Sequence, residues 1–396
     1  MKLLPLFLRW HRRIGLLVAL PVLLWTLSGV LHPIMSRLNP QPANPAPPLA
    51  PLPEANWLAP GVALQKAGVE QLQALRLVTV AGQPYYQASP ASNAQRIYIN
   101  AQNGIVLDQG EQQHALEMAL HFTGRNAESV RAIRYVDQFD AEYLWINRLL
   151  PVWRIDFTSA DHLSVYVETT PARLASMVDD TKRITSTLFR MLHTWEILPQ
   201  HPLVTGLMTA MLIAAATMGL GGIVLYGILW RRNAFARRQR PAQRWHRSLG
   251  IGVSFFACLF AFSGGWHLLH TPTPVHMEQT SLPAWNAAAL AATSATDIWS
   301  QQANAVIVGC GDAVCRLTAP RVGPMQEHQH HAGAATSVAF TLQPVQGFSE
   351  KSALLNTSAE QAARQALDLA NETPLASIEA ITEFNGEYGF LKKRLP

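Results

Sequence analysis

Four histidines in this chain keep a common interval. "WHRRIGLLVALPVLLWTLSGVLH" (10–32) and "WHRSLGIGVSFFACLFAFSGGWH" (245–267) align without a gap through Trp, His, Arg, Gly, Ser, Gly and His. His11 falls on His246 and His32 on His267, both at an offset of 235. As a helix, the 21 residues from His11 to His32 rise roughly 31 Å, close to the roughly 30 Å of bilayer hydrocarbon. Each phrase therefore sets one imidazole near each membrane face. At about 100° per residue the two lie roughly 60° apart around the axis and share a broad side. A two-fold axis between the phrases would set His32 against His267 and His11 against His246. Two facing imidazoles at one depth are what a six-coordinate haem iron requires, and a second axial ligand favours electron transfer over oxygen chemistry. Gly29, Gly264 and Gly265, about one turn before the outer histidines, leave room for a flat macrocycle; they equally permit close helix packing.

The residue types around these histidines divide them. His11 and His246 each stand between Trp and Arg, which fits an interfacial belt as well as a ligand role, and both readings stand. His32 and His267 each close an apolar run with no carboxylate near, and we read them as ligands. His193, in "FRMLHTWEIL" (189–198), lies on an amphipathic stretch just outside the second span, with His201 and His270 nearby. "EHQHH" (327–331) offers His328, His330 and His331 to a divalent ion, and reads as a weak metal-collecting loop. His114 and His121, seven apart on one helical face, read as surface residues. No Gly-rich phosphate loop or G-x-S-x-G elbow occurs in the context it needs, so no flavin or nucleotide site is expected.

These residues need membrane helices to hold them. Of 396 residues 49% are apolar and only 14% charged, below the roughly 25% of soluble domains. The net charge of +5 comes from arginines beside apolar runs: Arg9, Arg12 and Arg13 before the first, and Arg231 to Arg247 between the second and third. That is the positive-inside pattern, not a groove for nucleic acid. The sequence predicts a cytoplasmic N-terminus (1–13), a first span (14–35), an exported α+β domain (36–185) entered through a proline-rich linker (38–53), an amphipathic segment (186–202), a second span (203–230), a basic cytoplasmic loop (231–247), a third span (248–270) and a second exported domain (271–396). In the exported parts, "RIYINAQNGIVL" (96–107) and "VWRIDFTSADHLSVYVETT" (152–170) predict strand-turn-strand units, and "QQHALEMALHF" (112–122) predicts a helix. Cys310 and Cys315 could close a small disulfide in an oxidising compartment or remain thiols.

"FDAEYLWINRLLP" (139–151) also matches "FNGEYGFLKKRLP" (384–396). The fold expected is thus an α-helical membrane protein with α+β exported domains and an internal parallel duplication. Three spans are present and four are expected in the full chain, the counterpart of 152–230 being missing.

The "WHR…G" helix starts, the "LH" before the second span, "LYGILWRR" (225–232) at its exit and the strand-turn-strand units resemble the PepSY-associated transmembrane family, and within it the inner-membrane ferrisiderophore reductases. The resemblance implies PepSY-like exported domains in the periplasm, a b-type haem in the membrane and electrons passed outward to the iron of a ferric siderophore; it also makes His193 a recurrent position, a haem ligand with a partner of its own or in place of one of the outer pair, with His201 and His270 as substitutes. The electron donor, a quinol or a cytoplasmic reductase, is not implied. Two rivals compete with this reading: a membrane-anchored binding or regulatory module without haem, and an accessory or permease component of iron uptake. The latter is disfavoured because no charged or broken helix marks a path through the midplane.

Overall fold

The computed structural model describes residues 3–48, 56–91, 95–147, 149–170, 172–198, 202–233, 235, 240–270, 284–299, 305–310, 313–318 and 341–345. The chain divides into two compact units, Met1–Pro40 with Val178–Val275, and Gln41–Met177 with His276–Pro396.

Helices make up the first unit. α1 (Leu3–Leu38), α5 (Pro202–Arg231) and α6 (Pro241–His270) are each long and apolar enough to cross a membrane. α1 carries Pro21 and Pro33 inside it, a cost that a membrane helix tolerates when neighbouring groups satisfy the freed carbonyls. Large apolar side chains point away from the bundle, with Leu16 72% and Phe262 71% exposed. Lipid is the solvent that suits such a surface. α5 packs on both α1 and α6. At the α5–α6 crossing a Cβ on Gly219 would stand 3.1 Å from the Ser254 carbonyl oxygen and 2.6 Å from Cys258 Sγ, so the two backbones approach where only hydrogen fits. α4 (Asp180–His193) is amphipathic and lies along α1. The Asp179 carboxylate caps it, accepting from the Lys182 backbone N–H at 2.7 Å.

The second unit holds α2 (Pro60–Lys66), α3 (Gly110–Thr123), α7 (Ala295–Trp299) and eleven described strands. β1 (Gln71–Val80), β2 (Gln83–Pro90) and β3 (Ile97–Asn100) form an antiparallel meander. β4 (Val130–Val136), β5 (Val152–Phe157), β6 (Ser164–Glu168) and β7 (Arg173–Val178) form a separate four-stranded sheet. β8 (Trp285–Asn286), β9 (Ala305–Cys310), β10 (Ala313–Thr318) and β11 (Thr341–Pro344) come from the chain after α6, yet they continue the first sheet in the order β11-β10-β9-β1-β2-β3, with β8 also on β1. The sequence reading treats the two exported segments as separate domains; the described strands of both share one sheet. The reason is local: β1 without β9 would leave a row of unpaired backbone groups along an apolar strand.

One core lies under that shared sheet, where Leu64, Leu72, Leu75 and Tyr86 meet Trp285, Leu290, Trp299 and Ile307. Gly61 lets α2 reach it, since a Cβ there would stand 2.6 Å from the Ala291 backbone. A second core forms where α3 presents Ala115, Met118, Ala119 and Phe122 to Trp153, Ile155, Phe157, Val165 and Val167. Those four positions have the i, i+3, i+4, i+7 spacing of one helical face. Gly124, in the left-handed region at φ 65°, ends α3 with its N–H on the Leu120 carbonyl.

Both expected strand-turn-strand units are visible in part. Residues 152–168 give β5, a turn and β6, whereas the second arm of 96–107 is reduced to a single bridge, Ile99 with Val106. Asn100 and Asn103 side chains accept backbone N–H bonds inside that turn and hold it wider than a two-residue hairpin.

Candidate functional site

The histidine-bearing ends of α1 and α6 are where side chains of chemical interest gather. At the arginine-rich end, His11 of α1 and His246 of α6 stand with ring centroids 6.3 Å apart and ring planes at 63°. α5 closes the same spot: a Cβ on Gly222 would lie 3.5 Å from His11 Cε1 and 3.6 Å from Ser254 Oγ. Phe235, between α5 and α6, has its ring against Tyr226 and under the Arg247 guanidinium at 4.2 Å.

At the other end His32, His193 and His267 are all exposed, and the Phe189 ring contacts the first two of them. The His32 ring meets Phe189 edge-on at 5.7 Å, and Phe189 stacks on His193 at 4.9 Å. His193 is held below the ordinary histidine pKa by burial, then by His267, then by His32. α1 grips His193 twice. Trp25 Nε1 donates to the His193 carbonyl at 3.1 Å, and Ser28 Oγ lies 3.0 Å from His193 Nδ1. Trp25 also stacks on Trp195 at 5.5 Å with planes 7° apart.

The donor set suits a haem. An iron held between two imidazoles at metal–nitrogen bonds of about 2 Å separates the ring centroids by roughly 6 Å, and His11 with His246 has that separation. Near the outer histidines a Cβ on Gly29 or Gly265 would meet nothing within 4 Å, but Gly29 is exposed on the outside of the bundle, and a Cβ on Gly264 would lie 3.7 Å from the Leu212 side chain. Among the described residues no group of three or more His, Cys, Asp and Glu side chains is placed to hold a bare metal ion. Histidine pairs suit an iron that brings its other four ligands with it.

The sequence candidates therefore divide as follows. His11 and His246 are brought together; His32, His193 and His267 lie at the opposite end of the bundle, each of them exposed. His201, His328, His330 and His331 lie outside the described residues, and His270 closes α6. His114 corrects the surface expectation. It is 4% exposed, and its Nδ1 lies 2.8 Å from the Tyr98 hydroxyl, because α3 lies against β1 and β3 as well as β5. His121 is only partly exposed, with Nε2 2.9 Å from the Ala46 carbonyl. Cys315 is buried and disulfide-bonded, whereas Cys258 is a free thiol on α6. Sequence reasoning missed Ser28, Phe189, Trp195 and Gly222 as neighbours of the histidines. A signal existed for the first: Ser-Gly recurs at 28–29 and 263–264, inside both histidine phrases.

Comparison with known proteins adds one match. The family model described as the PepSY-associated TM region matches residues 8–368. No curated protein and no solved structure matches the chain.

Proposed function

This chain belongs to the PepSY-associated transmembrane family, and from that premise we propose that it is a haem-binding oxidoreductase of the inner membrane that passes electrons to the iron of a periplasmic ferric siderophore. The observation that carries the proposal is the meeting of His11 and His246, from separate membrane helices, at the spacing of a shared iron. These two residues hold a haem of b type near the cytoplasmic face. His32, His193 and His267 supply the ligands near the outer face. When bound, the haem supplies a one-electron couple whose potential the two imidazoles set.

The chain's own residues do the rest. The arginines before α1 and between α5 and α6 keep those helix ends in the cytoplasm. Gly222 and Ser254 shape the space at His11. Trp25, bonded to the His193 carbonyl, and its stacking partner Trp195 put two aromatic rings beside His193, which narrows the apolar gap an electron must cross. The ferric ion is the substrate. On gaining one electron, supplied by a quinol or a cytoplasmic reductase, it becomes Fe(II), a softer and less charged ion that hard oxygen ligands hold more weakly. The siderophore then lets it go. The fourth span and the internal duplication belong to the same proposal, since a repeat axis is what pairs the histidines.

The test is a dithionite-reduced minus oxidised spectrum of the full chain purified in detergent. A six-coordinate haem signal is expected, with His11→Ala or His246→Ala removing one component and His267→Ala another. A wild-type chain without Soret absorption would overturn the proposal and leave the anchored binding module in its place.

A further inference from the structure

The hydrogen bonds around Ser28 fix the protonation of a ring. Ser28 is fully buried on α1, and its hydroxyl donates to the Trp25 carbonyl at 2.7 Å. A serine hydroxyl has one proton, and a carbonyl oxygen can only accept. That proton is therefore spent. With that proton on the Trp25 carbonyl, the 3.0 Å contact between Ser28 Oγ and His193 Nδ1 is completed when the ring carries its proton on Nδ1 and donates it to Oγ. A neutral imidazole carrying its proton on Nδ1 has a bare lone pair on Nε2.

The grip is built from two residues three apart on one helix. Trp25 Nε1 holds the His193 carbonyl at 3.1 Å, and Ser28 holds the ring. Residues i and i+3 share a helical face, so α1 fixes both the backbone and the ring of one residue on α4. Phe189 stacks on the same ring at 4.9 Å with planes 15° apart, which removes its remaining freedom to rotate. Histidines that ligate metals commonly donate their second ring N–H to an oxygen, and this both sets the tautomer and raises the basicity of the ligating nitrogen.

We infer that Ser28 is the positioning residue of the outer haem site, holding His193 as the Nδ1–H tautomer so that Nε2 is the ligating nitrogen. This rests on the haem reading above, and goes beyond it by choosing His193, and one atom of it, from the three outer histidines. Ser28 touches neither haem nor substrate and acts through His193.

Two measurements on the full chain in detergent test it. The first needs no haem: the 15N spectrum of histidine-labelled, haem-free protein should show His193, assigned by comparison with His193→Ala, protonated on Nδ1 and bare on Nε2. In Ser28→Ala the ring should lose that preference, and in Ser28→Thr, which keeps a hydroxyl, it should recover it. The second titrates haem into each variant and poises it electrochemically. Ser28→Ala should weaken the outer haem about 10- to 100-fold and raise its midpoint potential, because a less electron-rich imidazole favours the ferrous state. The same substitution made in His193→Ala should change neither quantity further. A wild-type His193 protonated on Nε2 overturns the inference. So does a Ser28→Ala protein whose affinity and potential match wild type. A wild-type chain that takes up no haem overturns the positioning role and the functional proposal together, whereas an Nε2–H tautomer with haem bound overturns the inference alone.

Discussion

His114 sits in a row of polar residues that crosses a sheet. Arg76, Gln87 and Tyr98 are register neighbours on β1, β2 and β3, and all are buried. Gln87 Nε2 donates to the Tyr98 hydroxyl at 2.6 Å, leaving the hydroxyl proton free to reach His114 Nδ1. Among the described residues Arg76 Nε and Nη1 find no hydrogen-bond partner. Burial, and then the Arg76 charge, push the His114 pKa down to about 3 from 6.5. The unfolded chain therefore binds a proton between about pH 6.5 and 3 that the folded chain refuses. Stability is undiminished above that window and falls as the pH drops through it, by up to about 1.4 kcal/mol per pH unit. Thermal midpoints of the full chain in detergent, taken from pH 7 to 4, should decline, and His114→Gln should flatten the decline. An unchanged slope in that variant would place the acid sensitivity elsewhere. Below about pH 4 the buried Asp156 adds to the loss, since Ser164, Arg154 and Arg134 hold its pKa below 3.8 against its own desolvation. None of this was legible in sequence. His114 and His121 share a helical face by spacing, but α3 meets strands on two sides, and only long-range packing decides which histidine is covered.

Elements with a strong local pattern were legible, and those whose shape depends on neighbours were not. The apolar stripe of α3 and the charge-free runs of α1, α5 and α6 specify helices by themselves. α6 nevertheless begins at Pro241, seven residues before the apolar run, because Arg244, His246 and Arg247 are good enough helix residues once Pro241 starts the first turn. The facing of His11 and His246 was legible too, through the matched phrases, although their distance depends on how α5 wedges between α1 and α6. That wedge is open to test. Gly219→Ile puts a branched side chain against the Ser254 carbonyl and Cys258, and should destabilise the bundle by about 1–3 kcal/mol. Gly221→Ile, where a Cβ meets nothing within 4 Å, should be close to neutral. Detergent melting of the two variants side by side checks this. Equal melting of both would mean that α5 and α6 do not cross at Gly219.

At the scale of the whole molecule, two distant stretches of chain complete one sheet. β1 pairs on one side with β2, its near neighbour in sequence, and on the other with β9, where Leu75 stands opposite Ile307. Both side chains are fully buried in the same core. Loop closure over such a separation costs entropy that only continuous packing can offset, so the β1–β9 seam should be cooperative with the meander it completes. The α3 core draws on residues 115–177 and has no such dependence on the chain after α6. Ile307→Asp separates the two cases. A carboxylate at a fully buried position without a partner costs about 3 kcal/mol or more. Hydrogen exchange on the full chain should then show residues 71–90 losing protection although the substitution lies more than 200 positions away, while residues 115–122 and 153–167 keep most of theirs. If both sets of residues lose protection together, the two cores form one folding unit; if neither does, the seam between β1 and β9 contributes little to the sheet, and the two exported segments fold as the separate domains that the sequence pattern alone suggests.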